Sequence, residues 1–227
     1  MNRDSNSYTI IYASVMVVLV AVVLAFTSQS LRTYQKTNED NDKRQQILRS
    51  IHVQATPNEA KTKYDALIKD AYLVNDTGEK LEGDAFAADV AKSFAAHEYP
   101  VFIATVDGAT KYIMAMQGSG LWGALWGYIA LDDDKNTVFG ADFSHAGETP
   151  GLGAEIATES FGNEFSGKKI FQQGEFKSIA IVKPGKSAIG QDYVDGISGG
   201  TITSQGVDKM IFDSLSGYVS FLTSKNQ

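Results

Sequence analysis

The sequence contains no cysteine. It therefore cannot form a disulfide, hold an iron–sulfur cluster through thiolates or use a thiol nucleophile. Basic residues are also in deficit: 20 Lys and Arg stand against 27 Asp and Glu, a formal charge of −7. Nucleic-acid binders gather cations to displace phosphate counterions, so no nucleic-acid partner is expected. Histidine is scarce, and His52 and His97 have no sequence neighbour that suggests chemistry. They read as surface or hydrogen-bonded side chains. No internal repeat, activated nucleophile or acid–base pair stands out, and no catalytic residue is assigned. What is present is an ordinary globular composition, 43% hydrophobic and 21% charged, which predicts a folded chain.

From Tyr8 to Thr27 the chain is almost wholly apolar and carries no charge. About 20 such residues, at about 1.5 Å each, span the hydrocarbon core of a bilayer. A cleaved signal peptide is the alternative, but this stretch exceeds the usual ~7–15 residue apolar segment, and Arg3 is the only basic side chain before it. Residues 1–30 thus read as a transmembrane anchor. Residues 31–55 read as a charge-mixed juxtamembrane stalk, helical or simply solvated. Arg32, Lys36, Lys43 and Arg44 follow the apolar run, and a literal positive-inside count would keep the rest of the chain in the cytoplasm. Large domains, however, translocate with little regard to flanking charge.

Residues 56–227 suffice for one ordinary domain of ~100–200 residues. Asn58 to Ile68 and Asp84 to Phe94 predict helices, the second capped by Asp84 with Phe86, Val90 and Phe94 on one face. Strand-like runs follow at Val101–Val106, Tyr112–Met116, Ala124–Leu131 and Thr137–Phe143, separated by turn-forming clusters. An antiparallel meander is expected. A further strand is expected at Ser178–Val182. Val207, Met210, Ile211, Leu215, Tyr218, Val219 and Leu222 predict the buried face of a C-terminal helix, with Phe212 and Phe221 as further packing candidates. The fold class is α+β: an antiparallel sheet with flanking helices, behind one transmembrane helix.

Three glycine-rich stretches draw attention. Asp195-Gly-Ile-Ser198-Gly199-Gly200-Thr201-Ile-Thr203-Ser204 opens the last helix. Its glycines permit close approach, and a helix N-terminus favours an anion, so a phosphate fits there. The plainer alternative makes Thr203 or Ser204 an N-cap. Ser144-His145-Ala-Gly-Glu148-Thr149-Pro150-Gly151-Leu152-Gly153-Ala154 reads as a rigid loop that offers polar groups and Leu152 to an aromatic ligand, as a plain connection, or as a metal site on His145 and Glu148 that lacks a third ligand. Gly118-Ser-Gly120-Leu121-Trp122-Gly123 fits Gly-x-Gly-x-x-Gly literally. A strand rather than a helix follows it, so it reads as a hairpin turn and not a dinucleotide fingerprint.

Asp195-x-x-Ser198-Gly199-x-Thr201 resembles the motif on which a dedicated flavin transferase joins FMN, through its phosphate, to the final threonine. With the anchor, the Glu-Thr-Pro-Gly-Leu-Gly loop and Gly-Leu-Trp-Gly, nearly the whole chain resembles the NqrC family of the sodium-translocating NADH:quinone oxidoreductases. Gly200 stands where that family usually has alanine. The resemblance implies covalent FMN on Thr201, with Asp195, Ser198, Gly199 and Gly200 around the attachment point. Glu148, Thr149, Gly151, Leu152, Leu121 and Trp122 would lie along the flavin. No metal is expected. It also implies an electron-carrying member of the inner-membrane complex, partnered by the other subunits, with its FMN domain on the periplasmic side. The G subunit of the related Rnf complex is the nearest alternative. A membrane-tethered binding or assembly module without flavin is the alternative of another class.

Overall fold

The computed structural model describes residues 6–224; Arg3 of the leading segment lies outside them. Two compact units divide the chain, Met1–Asp42 and Lys43–Gln227. Helix α1 (Asn6–Arg49) supplies the first unit. Its apolar part has a mean hydropathy of 2.7 over an 18-residue window with no residue buried, and Val17, Leu24 and Phe26 are all exposed. This helix is long and apolar enough to cross a membrane. Further along, Lys36 and Asp40 pair at 2.8 Å one turn apart, as suits a solvated helical face.

The second unit takes in the last turns of α1, where Ile47 and Leu48 are fully buried. Residues 43–55, which the sequence assigned to a stalk, therefore belong in part to the folded body. Helix α2 (Pro57–Leu67) begins with a capping box between Thr56 and Glu59 and has proline in its first turn. Strands β1 (Ile68–Val74) and β2 (Lys80–Leu81) follow, then α3 (Val90–Ala95). The meander is β3 (Tyr99–Val106), β4 (Ala109–Ser119), β5 (Ala124–Leu131) and β6 (Val138–His145). A 3₁₀ turn (Gly153–Ala157) and α4 (Glu159–Asn163) lead to the short strands β7 (Phe171–Gln172), β8 (Glu175–Phe176), β9 (Ala180–Val182) and β10 (Tyr193–Asp195). Helix α5 (Thr201–Thr223) ends the described chain.

Six strands form one antiparallel sheet in the order β2-β1-β3-β4-β5-β6, while β9 and β10 pair in parallel. Alternation along β4 shows how both faces are filled. Met114 and Met116 join one core with Met210, Leu215 and Tyr218 of α5; Ile113 and Ala115 join the other with Ile47, Leu48 and Ile51. A sheet buried on both sides carries apolar residues at successive positions. The Tyr218 hydroxyl, wholly buried, reaches the carbonyls of Pro100 (2.9 Å) and Ala115 (3.1 Å) and fixes α5 across β3 and β4. On the opposite face Arg49 grips Asp142 with Nε at 2.7 Å and Nη2 at 3.1 Å.

The expected meander and C-terminal helix are present, with Val219 only half-buried. The helix expected at Asp84–Phe94 is shorter. Asp89, not Asp84, caps α3 by accepting from Ala91 and Lys92. Asp84 instead accepts the N–H of Phe86 at 2.8 Å, closing a turn that packs Phe86 on Tyr64. Strand β1 begins at Ile68, where the sequence suggested only the end of a helix.

Candidate functional site

Helix α5 starts at the end of the sheet where the β4–β5 hairpin turns. Close packing brings the two together: a Cβ on Gly118 would lie 2.6 Å from Cβ of Met210, and one on Gly206 would lie 2.4 Å from the carbonyl oxygen of Ser119. Gly118, the first glycine of the pattern that mimics a dinucleotide fingerprint, thus serves helix–hairpin contact, while Gly120 faces Glu148 and Gly123 faces Ala146. The hairpin turn itself is closed by Gly120 N–H donating to Gly123 O at 2.8 Å.

The Glu148 loop approaches from β6. Thr149-Pro150-Gly151-Leu152 has the features of a type II turn: Leu152 N–H donates to Thr149 O at 3.1 Å and Gly151 has φ +74°. Gly151 also donates to the carboxylate of Glu155 at 3.0 Å. This turn leaves Leu152 43% exposed and drives the Glu148 side chain inward.

Glu148 is only 4% exposed. One oxygen accepts the Thr203 hydroxyl at 2.6 Å; the other accepts the Trp122 N–H at 2.8 Å. Burial pushes its carboxyl up, but the Thr203 hydroxyl, the Trp122 and Leu121 N–H groups and His145 outweigh that cost, so it lies below its ordinary value. Its own N–H donates to Nδ1 of His145 at 3.1 Å. Both partners of the metal alternative are thereby engaged in hydrogen bonds. Among the described residues no group of three His, Asp or Glu side chains is placed to hold a metal ion.

Gly200 is the N-cap of α5, and no side chain caps the helix. The first N–H groups of a helix have no intrahelical acceptor, so they remain for an anion. Thr203 and Ser204, the alternative caps, are used otherwise: Thr203 on Glu148, and Ser204 as acceptor of Ile197 N–H at 2.9 Å. That last bond ties the loop before α5 to the helix's first turn. Thr201 is the first helical residue and is exposed.

A cavity of about 230 Å³ opens beside it, lined by Leu121, Glu148, Thr149, Leu152, Gly153, Gly199, Gly200, Thr201, Ile202 and Thr203. Most of the residues singled out in the sequence therefore converge. Trp122 stands next to the lining, 68% exposed, while Gly151 and Ser198 lie outside it. Asp195 lines a separate groove with Glu164, Lys168 and Tyr193, and its N–H donates to Glu164 at 3.2 Å. Sequence reasoning missed Gly153 and Ile202 and gave Thr203 only as a possible helix cap. Ile202 carried a usable signal, an apolar residue just after a motif threonine; Gly153 carried none beyond its place in the loop.

Beyond α1, the exposed large apolar side chains among the described residues are Leu121, Trp122, Leu152, Ile189, Ile202 and Phe212. Three of them line this cavity and Trp122 adjoins it, an apolar rim of the kind that marks a ligand site. An uncapped helix N-terminus, a free hydroxyl at its first residue and an apolar rim together fit a phosphate joined to a flat aromatic body, which is the anatomy of FMN.

Comparison with known proteins agrees. The sequence model of the family described as "FMN-binding domain" matches residues 120–216, a span that holds the cavity lining. The NqrC protein of the Na(+)-translocating NADH-quinone reductase of Haemophilus ducreyi is 30% identical, aligned over 91% of this chain and 88% of its own. Its counterpart in Vibrio anguillarum is 29% identical over 97% and 94%. The crystal structure of the counterpart from Parabacteroides distasonis is 71% identical, with a TM-score of 0.85 over 86% of this chain and 98% of its own. Shewanella oneidensis NqrC superposes with a TM-score of 0.69 at 25% identity, over 81% of this chain and 96% of its own. This chain belongs to the NqrC family of Na⁺-translocating NADH-quinone reductases.

Proposed function

We propose that the chain carries one FMN, esterified through its phosphate to Thr201, and relays electrons within a membrane-bound Na⁺-translocating NADH:quinone oxidoreductase. The observation that carries this reading is the exposed Thr201 hydroxyl at the mouth of an uncapped helix, beside a cavity rimmed by Leu121, Leu152 and Ile202. When bound, the flavin supplies the redox chemistry. The chain's residues would supply its seat: the first N–H groups of α5 would hold the phosphate, and Leu121, Leu152 and Ile202 would offer apolar surface to the aromatic part.

Residues 1–30 act as the anchor in this reading, the folded domain lies on the periplasmic side, and the other subunits of the complex are its electron partners. A flavin lost outside the cytoplasm would not be replaced, and a covalent tether makes every rebinding intramolecular. A flavin transferase is the maturation partner, and its acceptor is the exposed Thr201 hydroxyl at the first residue of α5.

Intact mass of the full chain, produced in membranes with a flavin transferase, tests the assignment. The wild type gains the mass of one FMN less one water, Thr201→Ala gains nothing, and Thr203→Ala keeps the gain. An unmodified wild type, or a modified Thr201→Ala, overturns it.

A further inference from the structure

We propose that Glu148 is a charged positioning residue of the flavin site: it ties the β4–β5 turn to the first turn of α5 and holds a fixed negative charge at the cavity wall that sets the flavin's midpoint potential. This inference rests on the reading that FMN is joined at Thr201.

Three observations lead to it. Both carboxylate oxygens meet donors of the protein itself, the Thr203 hydroxyl at 2.6 Å and the Trp122 N–H at 2.8 Å, so the group acts as a brace between cavity walls. The site is shaped around those oxygens: a Cβ on Gly120 would lie 2.4 Å from one and a Cβ on Gly153 would lie 2.6 Å from the other. Finally, no Lys, Arg or His among the described residues stands within ion-pair distance of Glu148, so hydrogen-bond donors, and no ion pair, hold its charge at the cavity wall. His145, whose Nδ1 accepts the Glu148 N–H, acts on it from β6, and Glu155 holds the neighbouring Gly151. A brace alone needs only a hydrogen-bonding group. A carboxylate charge without an ion-pair partner beside a cavity also acts on whatever gains electrons there, because reduction adds negative charge and a nearby carboxylate opposes it.

Glu148→Gln separates the two roles. The amide oxygen can accept Trp122 N–H and the amide nitrogen can donate to the Thr203 oxygen, so the brace keeps its shape while the charge is removed. Thr203→Val does the converse: it cuts one arm of the brace and keeps the carboxyl. With the Thr203 hydroxyl gone, burial is opposed by fewer donors, and the carboxyl titrates at higher pH than in the wild type.

The experiment is spectroelectrochemical titration of the full chain in detergent, after intact mass has established FMN attachment. Glu148→Gln is expected to carry FMN and to show a midpoint potential shifted positive of the wild type. Thr203→Val is expected to match the wild type at alkaline pH and to gain a positive shift as pH falls, with His145 common to both proteins as the internal control. Flavinylated Glu148→Gln with the wild-type potential overturns the proposal. Should that variant fail to fold, Thr203→Val decides, and a wild-type pH profile there overturns it equally. A wild-type chain without added mass defeats the Thr201 reading and this inference together, whereas attached flavin with unmoved potentials defeats this inference alone.

Discussion

A single methyl group tests whether the Glu148 brace builds the site. In Gly153→Ala the new Cβ would lie 2.4 Å from the Thr203 oxygen and 2.6 Å from a Glu148 oxygen, pressing from one side on both partners of their hydrogen bond. Ordinary contact requires about 3.4 Å or more, so each oxygen must retreat by roughly 1 Å, which strains the 2.6 Å bond and draws Glu148 away from the Trp122 N–H it also accepts. Losing a hydrogen bond to a charged group costs about 1.5–3 kcal/mol, and forcing a methyl into a packed site costs about 1–3 kcal/mol. These overlap, because the displacement that strains these bonds also relieves the clash, so a total of about 2–4 kcal/mol is expected. Gly153 is not among the residues at positive φ, and the effect is contact alone. Urea unfolding of the full chain in detergent, followed by tryptophan fluorescence, measures the loss, while in-gel flavin fluorescence after denaturation reports attachment. The expected result is a lower midpoint at unchanged slope and reduced flavin loading. Wild-type stability with full loading would refute the reasoning, since it would mean that neither the brace nor the closeness of Gly153 matters.

The glycines before Thr201 should separate by conformation. Gly199 has φ +75° and a Cβ there would meet Leu152 Cδ2 at 2.7 Å, so Gly199→Ala should cost about 1–2 kcal/mol for the left-handed backbone alone. Gly200→Ala restores the family's usual residue at φ −106°, with closest approaches of 3.1 Å to Ile197 and 3.2 Å to Gly153 N. It should change stability by less than about 1 kcal/mol and leave loading intact; denaturation of both variants checks that order. Arg49→Met should destabilise the fold by about 2–3 kcal/mol at neutral pH, below the ~3–5 kcal/mol of a fully buried pair because the Arg49 side chain is 35% exposed. Burial already holds the Asp142 carboxyl above its ordinary value, against the pull of Arg49. Ionised Asp142 therefore opposes folding as pH rises through its titration, and losing Arg49 widens that window. The deficit of Arg49→Met should shrink as pH falls and Asp142 protonates; a deficit constant from pH 7 to pH 4 would contradict this.

Where the chain announced itself, it did so through local chemistry. The β4–β5 hairpin was legible because a strand follows Gly123, and the α5 face because its apolar residues keep helical spacing. Strand β1 was not legible: Ile68-Lys-Asp-Ala-Tyr-Leu-Val74 follows a helix directly and alternates poorly, and its identity comes from pairing with β3. Asp84 and Asp89 are equally good caps on paper, and only packing of Phe86 on Tyr64 decides between them. At the site, the place of Thr201 at the start of α5 could be read from the glycines before it and the helical spacing after it. The inward turn of Glu148 could not, because its partner Thr203 lies 55 residues away and no sequence spacing encodes that meeting.

The bond from Ile197 N–H to Ser204 has a consequence for biogenesis. It closes the segment that carries the acceptor hydroxyl onto the first turn of α5. Under the proposed chemistry, a transferase that recognises this closed shape modifies finished molecules and passes over incomplete ones. Flavin content would then serve the cell as a seal of correct assembly, stamped before the protein meets its complex.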